Sequence, residues 1–304
     1  MLSLGSLTTK NTMANPAPTI LAHDPDPKAP AFKLPRNSCD SHCHIFGPHA
    51  LYPYAEGRSY TPHDAPLAEF KKLHRILGVD RAVIVNATCH GRDNRVVTDA
   101  IAQSDGAYLG IANVDETFTD KELEALTAQG IRGCRFNFVR RLGNVPDLAV
   151  FRRLIARITP LGWHIDLYFE AADIPEFVPM LRALPLTYVI DHMGGVRAGQ
   201  AHDAASFAAL VELLRTDEKC WIKVTGPERI SAAGSPYHDV IAFAQKLIAT
   251  APDRTLWGTD WPHPNVRQMP KDEHLVDILP NYADANALHR MLVTNPARLF
   301  GFAS

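Results

Sequence analysis

The chain has 304 residues, 46% hydrophobic and 21% charged, enough to bury a large core as one barrel-sized domain or two smaller ones. A net charge of −2 and a pI near 6.7 give no attraction for nucleic acid or an anionic membrane, and no apolar run is long enough to span a bilayer. The five cysteines (Cys39, Cys43, Cys89, Cys134, Cys220) are scattered through mostly apolar, strand-like runs, the pattern of reduced, buried thiols in a cytoplasmic chain.

Met1-Leu2-Ser3-Leu4-Gly5 has neither a basic nor a sustained apolar region, so export is not expected. Residues 1–35 are rich in proline, end in Asp24-Pro25-Asp26-Pro27-Lys28-Ala29-Pro30 and lack apolar periodicity; they read as a flexible N-terminal tail. Residues 36–304 read as one domain in which a short apolar strand and an amphipathic helix recur. The strands fall at Cys39–Phe46, Arg81–Thr88, Tyr108–Val114, Ile131–Phe138, Trp163–Glu170, Leu186–His192, Cys220–Thr225 and Thr255–Asp260. Helical spacing occupies Pro66–Leu77, Asn94–Gln103, Asp120–Gln129, Asp147–Ile158, Ile174–Leu184, Ala204–Leu214 and Pro236–Ala249. Strands separated by helices must pair in parallel, because parallel neighbours need a crossover. Eight such units match an α/β fold of the (β/α)8 TIM-barrel type, for which ~250 residues is typical. A doubly wound open sheet would want a Gly-rich phosphate loop after an early strand, and none is present.

In such a barrel the chemistry sits at the C-terminal ends of the strands. The first strand, Asp40-Ser41-His42-Cys43-His44, would place Asp40, His42 and His44 on one face. The second ends near Asn86 and Thr88. The fourth presents Arg135 and Asn137, with Arg140 and Arg141 beyond, and the fifth alternates His164, Asp166, Tyr168 and Glu170 with apolar residues. Asp191-His192 ends the sixth strand, Lys223 the seventh and Asp260 the eighth. Lys223 and Asp166 can pair inside the barrel away from substrate, and His164, at a strand start, reads as structural. His42, His44, His192 and Asp260 all end strands and form the expected reaction centre.

Two chemistries suit that cluster. Three imidazoles and a carboxylate can hold one Zn²⁺ with a position open for water. Alternatively, the imidazoles donate to a developing oxyanion while Asp260 takes a proton from water, with no metal. A two-metal site would want a lysine where Arg135 stands and a histidine where Tyr168 stands. Arg135, Arg141 and Arg229 are cations near the centre, and several guanidinium groups suggest a dianionic substrate. The alternative for each is a pair with a neighbouring Asp or Glu, less favoured for the inward-facing Arg135.

Asp-x-His-x-His on the first strand, Ile190-Asp191-His192-Met193-Gly194, Trp257-Gly258-Thr259-Asp260-Trp261-Pro262-His263-Pro264 and Asn295-Pro296-Ala297-Arg298-Leu299 resemble the amidohydrolase superfamily. Cys89-His90-Gly91-Arg92-Asp93-Asn94, Arg132-Gly133-Cys134-Arg135-Phe136-Asn137-Phe138 and Tyr168-Phe169-Glu170 resemble its 2-pyrone-4,6-dicarboxylate lactonase family. That resemblance covers roughly residues 37 to 302. It implies opening of a dicarboxylated pyrone ring to 4-oxalomesaconate in the breakdown of lignin-derived aromatics, without a required metal cofactor. It further implies that Asp260 activates water and that His42, His44 and His192 polarise the carbonyl. Arg135, Arg141, Arg229, Thr88 and Tyr168 would then hold the carboxylates and ring, with Tyr60 and His263 at the rim. An arginine expected after Met193-Gly194 is replaced by Gly195, with Arg197 two residues on, so either Arg197 substitutes or the anionic group differs. Competing expectations are a lactonase for a sulfomuconolactone or sugar-acid lactone, with or without Zn²⁺ at His42, His44, His192 and Asp260, a Zn²⁺-dependent decarboxylase of the same superfamily, and a non-catalytic binding protein.

Overall fold

The computed structural model describes residues 17–139, 146–200 and 203–302. Eight strands pair in sequence order and always in parallel: β1 (Cys39–Cys43), β2 (Arg81–Val85), β3 (Tyr108–Ala112), β4 (Ile131–Asn137), β5 (His164–Tyr168), β6 (Tyr188–Ile190), β7 (Cys220–Lys223) and β8 (Thr255–Leu256). Between them run α1 (Leu67–Leu77), α2 (Arg95–Ala102), α3 (Asp120–Ala128), α4 (Leu148–Ile158), α5 (Ile174–Arg182), α6 (Asp203–Thr216), the short α7 (Pro227–Ile230) and α8 (Ile241–Thr250). Three short helices, α9 (Asp272–Asp277), α10 (Ala285–His289) and α11 (Asn295–Phe300), close the chain. The architecture is the expected (β/α)8 barrel. No helix among the described residues is long and apolar enough to cross a membrane.

The helices begin where the chemistry of their caps dictates. Asp147 accepts the Ala149 and Val150 amides at the start of α4, and Thr119 and Glu122 form a capping box before α3. Strand residues such as Ala82, Ile84, Ile165, Leu167 and Ile190 pack outward with the helices in one apolar layer. The opposite face of the strands supplies Cys39, Val83, Val85, Ile111, Val189 and Leu256, which cluster with Phe300 of the last helix.

The last seam is closed by a different device from the others. β8 is only two residues long, and the chain beyond it leaves the ladder to bond β1. Ser41 N–H donates to Trp257 O at 2.8 Å, Asp260 N–H to His42 O at 2.7 Å, and His44 N–H to Trp261 O at 2.7 Å. Gly258 makes this approach possible, since a Cβ there would lie 2.5 Å from the His42 nitrogen and 2.8 Å from Asp40 Oδ1. Asp40 also corrects the simple alternation expected for the first strand. The β1–β2 register shifts between Asp40 and Cys43. The Asp40 carboxylate accepts the Thr259 amide at 3.0 Å and its hydroxyl at 2.6 Å, and meets His74 of α1 at 3.3 Å. It therefore buttresses the seam instead of sharing a site with His42 and His44.

The described part of the expected flexible tail lies against the barrel. Ile20 N–H donates to Thr61 O at 3.1 Å, Thr61 N–H to Pro18 O at 2.8 Å, and Phe32 N–H to Asp277 Oδ1 at 2.8 Å. His23 packs edge-on to Trp261, with ring centroids 5.1 Å apart. Proline removes the amide donors of a regular strand, so isolated bonds and side chains do the docking.

Candidate active site

The strand ends bring the four expected reaction-centre residues together. His44 Nε2 lies 3.3 Å from Asp260 Oδ1, His42 Nε2 3.5 Å and His192 Nε2 4.0 Å from the same oxygen. Each imidazole is held from behind: His44 Nδ1 by the Val85 carbonyl at 2.7 Å, His192 Nδ1 by the Thr225 hydroxyl at 3.0 Å, and His42 Nδ1 by Lys223 Nζ at 3.0 Å. Two of the four sit on strained backbone, His192 at φ 50° and Asp260 at φ 63°, a conformation costing ~1–2 kcal/mol for a residue with a Cβ. The seam and the Asp40–Thr259 bonds hold Asp260 there.

A cleft open to solvent lies over this centre. Its lining includes His44, His192 and Asp260 and, of the expected substrate-binding residues, Tyr60, Thr88, Arg135, Tyr168 and Arg229. Asn137 and Asn265 also line it. Asn137 was on the expected inward face of β4 but carried no assigned role. Its Oδ1 accepts the Val139 amide at 2.9 Å, which leaves the amide NH2 as the end available to a ligand. Asn265 comes from the loop after β8, where strand alternation gives no guide; its only sequence signal is proximity to Trp261-Pro262-His263.

Several expected residues stand elsewhere. His263 is buried beside the site and not at its rim, with Nε2 3.0 Å from Asp272 and Nδ1 3.8 Å from Glu228. Asn86 is turned inward onto Asn94 and the Asp93 carbonyl. Arg197 is exposed and does not line the cavity. Gly195 has φ +66°, and a Cβ on it would lie 3.0 Å from the Phe169 carbonyl oxygen, so no side chain is easily seated where an arginine was expected. Arg140 and Arg141 lie outside the described residues. His164 is structural, packed on Phe300 and 3.5 Å from Asp166.

Both described arginines pair with carboxylates of the chain. Arg229 donates from Nε to Asp260 Oδ2 at 2.5 Å and from Nη2 to the Pro264 carbonyl at 2.9 Å. Arg135 donates from Nε to Asp191 Oδ2 at 2.8 Å, and its guanidinium lies 5.3 Å from the Tyr168 ring centroid. Deeper in the barrel, Lys223 joins Asp166, Asp191 and His42 in a fully buried set. Lys223 and Asp166 thus pair inside the barrel, as the sequence allowed.

These contacts set the protonation states. Burial pushes His42 down to about 4, against the pull of Asp191, and lowers His192 well below the ordinary imidazole range; both rings are neutral at neutral pH. Burial works to raise Asp260, but Arg229 and the surrounding imidazoles outweigh it and hold the carboxyl well below its usual range. Burial likewise opposes charge on His263, yet Asp272 and Glu228 raise it to about 10. Ligand atoms of His42, His192 and Asp260 lie within 4.8 Å of one another, close enough to hold a cation, a set that does not include His44. Two of those three residues are already engaged by cations, His42 by Lys223 and Asp260 by Arg229.

A parallel barrel carrying one histidine on its first strand and another just past it, a histidine after its sixth and an aspartate after its eighth has the frame of an amidohydrolase. The amidohydrolase family profile matches residues 39–302, and the chain belongs to that family. It is 44% identical over 285 residues to 2-pyrone-4,6-dicarboxylate hydrolase of Comamonas testosteroni, covering 90% of this chain and 93% of that one. It is 40% identical over 276 residues to 4-sulfomuconolactone hydrolase of Rhizobium radiobacter, covering 89% and 92%. A crystal structure of an Agrobacterium tumefaciens protein in its apo form superposes with a TM-score of 0.80 at 31% identity, covering 90% of this chain and 99% of that one.

Proposed function

We propose that the chain hydrolyses the ring ester of 2-pyrone-4,6-dicarboxylate to 4-oxalomesaconate, with no metal required. The observation that carries this reading is the convergence of three imidazoles on one oxygen of Asp260, under a cavity flanked by Arg135 and Arg229. Asp260 takes a proton from water, and the oxygen of that water bonds to the lactone carbonyl carbon. The Nε2–H groups of His42 and His192 stabilise the negative oxygen that forms, while His44, whose Nδ1–H is spent on the Val85 carbonyl, packs beside them. The ring C–O bond then breaks, and the departing enol oxygen recovers the proton from Asp260.

The Arg229–Asp260 pair gives substrate binding a chemical consequence. A substrate carboxylate competing for the Arg229 guanidinium would loosen its hold on Asp260 Oδ2 and make that carboxylate a stronger base. Arg135, buttressed through Nε by Asp191, presents the rest of its fork beside Tyr168 for a second carboxylate. The wall residues Thr88, Tyr60 and Asn137 would add neutral donors around the ring. If a divalent cation bound, His42, His192 and Asp260 would hold it and it would polarise the carbonyl.

The test is loss of pyrone absorbance on metal-stripped protein, with and without a chelator. Turnover unaffected by chelation supports the proposal, and activity restored only by Zn²⁺ overturns its metal-free part. No turnover under either condition overturns the substrate. A second reading, hydrolysis of a sulfonated muconolactone, is favoured by one observation: Gly195 stands where an arginine was expected and Arg197 is exposed, which leaves Arg135 and Arg229 to hold an anionic group that can differ from a carboxylate. Comparing kcat/KM for the two lactones decides between them.

A further inference from the structure

Lys223 at the end of β7 has no part in the hydrolysis just described. It is fully buried and does not line the cavity. Its Nζ donates to Asp166 Oδ2, lies 3.2 Å from Asp191 Oδ1 and meets His42 Nδ1 at 3.0 Å. An ammonium carries three N–H donors and no lone pair. Its contact with the ring nitrogen is therefore attractive only when that nitrogen accepts, and a neutral imidazole accepting at Nδ1 carries its proton at Nε2.

The competing arrangement, Nδ1–H donating to Asp191, has the weaker geometry. Asp191 Oδ1 lies 3.3 Å from His42 Nδ1 but receives no well-directed hydrogen bond from the described residues. On the far side of the ring, His42 Nε2 is buried, has no hydrogen-bond partner among the described residues, and points towards Asp260 Oδ1 at 3.5 Å.

We propose that Lys223 is a positioning residue that fixes His42 as its Nε2–H tautomer, so that His42 meets the substrate carbonyl as a hydrogen-bond donor and not as a lone-pair ligand. The purpose of that donor rests on the hydrolase reading above; the tautomer does not. Through Asp191, the same lysine is joined to Arg135, so one buried ammonium braces both the donor and one of the substrate-facing cations.

Nitrogen-15 histidine spectra of the full, metal-stripped chain test the assignment, with the His42 signals identified by their loss in His42→Gln. The expected pattern near neutral pH is Nε2–H with an accepting Nδ1; an Nδ1–H or imidazolium pattern overturns the proposal, whatever the variants do. Lys223→Met should lower kcat by ~10²-fold, the scale of one lost oxyanion donor, with KM little changed. It should also tighten Zn²⁺ binding by ~10-fold, the scale on which outer partners act but with the opposite sign to their usual loss, because Nδ1–H can then donate to Asp191 at 3.3 Å and leave the Nε2 lone pair free for the ion. A folded Lys223→Met protein with unchanged kcat and unchanged Zn²⁺ affinity overturns the proposal. Wild-type protein that shows the Nε2–H pattern yet leaves the pyrone ring closed sinks the hydrolase reading and supports the tautomer.

Discussion

The floor and the wall of the cavity are built to different physical rules. On the floor, His44, His192 and Asp260, with His42 packed against the two rings and not itself lining the cavity, are between 0% and 2% exposed, and each is gripped by backbone or by a neighbouring side chain. On the wall, Thr88 and Asn265 are exposed, and Arg135, Asn137, Tyr168 and Arg229 are half-buried. Water reaches the wall at Thr88 and Asn265, whereas the Arg135 and Arg229 side chains are only 10% and 15% exposed and each turns part of its guanidinium to the cavity, where a ligand can compete for it. The floor lies in a low dielectric, where fixed dipoles act strongly on developing charge. Rate should therefore depend on the floor, and discrimination between substrates on the wall.

The sharpest way to break that division is Asp260→Asn, expected to lower kcat by ~10³-fold or more while the pyrone dicarboxylate still binds by calorimetry. Normal turnover would remove Asp260 as the base. Arg135→Met should raise KM by ~10²-fold, the scale for losing one side of a desolvated ion pair, with kcat much less affected. An unchanged KM would move the anion site elsewhere.

Beside the floor, the His263 pair should register in stability. Its folded pKa of about 10 stands above the ordinary ~6.5 of an unfolded histidine. The stabilisation is thus complete below about 6.5 and lost as pH rises through 10. Tm should fall between pH 7 and 10, less steeply in His263→Gln; equal slopes would contradict the pairing. Gly195→Arg should cost ~1–2 kcal/mol in denaturant unfolding, because φ +66° strains a residue with a Cβ. The smallest effect should come from deleting residues 1–35. Losing the Ile20–Thr61 and Thr61–Pro18 bonds beside Tyr60 should raise KM by about threefold and leave kcat unchanged, the signature of weaker uniform binding.

The same division explains what the chain's letters disclosed. Period-two alternation on β4 and β5 set Arg135, Asn137, Asp166 and Tyr168 facing inward, and strand-end positions singled out His42, His44, His192 and Asp260. Those signals are local and survive burial. Asn265 was hidden because a loop has no period. The pairing of Arg229 with Asp260 and of Arg135 with Asp191 was hidden because partners 31 and 56 positions apart are chosen by the closed barrel. His263 looked like a rim residue from its place in the motif, yet Asp272 draws it inward. The N-terminal prolines signalled an irregular path without revealing that their amide-bearing neighbours dock on the Thr61 loop.

The backbone stitches that close the barrel also dictate when the protein can first work. His44 and Asp260 stand 216 residues apart along the chain, and the bonds placing them are the ones that complete the ring. A nascent polypeptide still lacking its eighth strand would carry the imidazoles without their partner carboxylate. Such a fragment has no half-measure of chemistry to offer, so ring opening should emerge abruptly with the final segment and report the completion of folding.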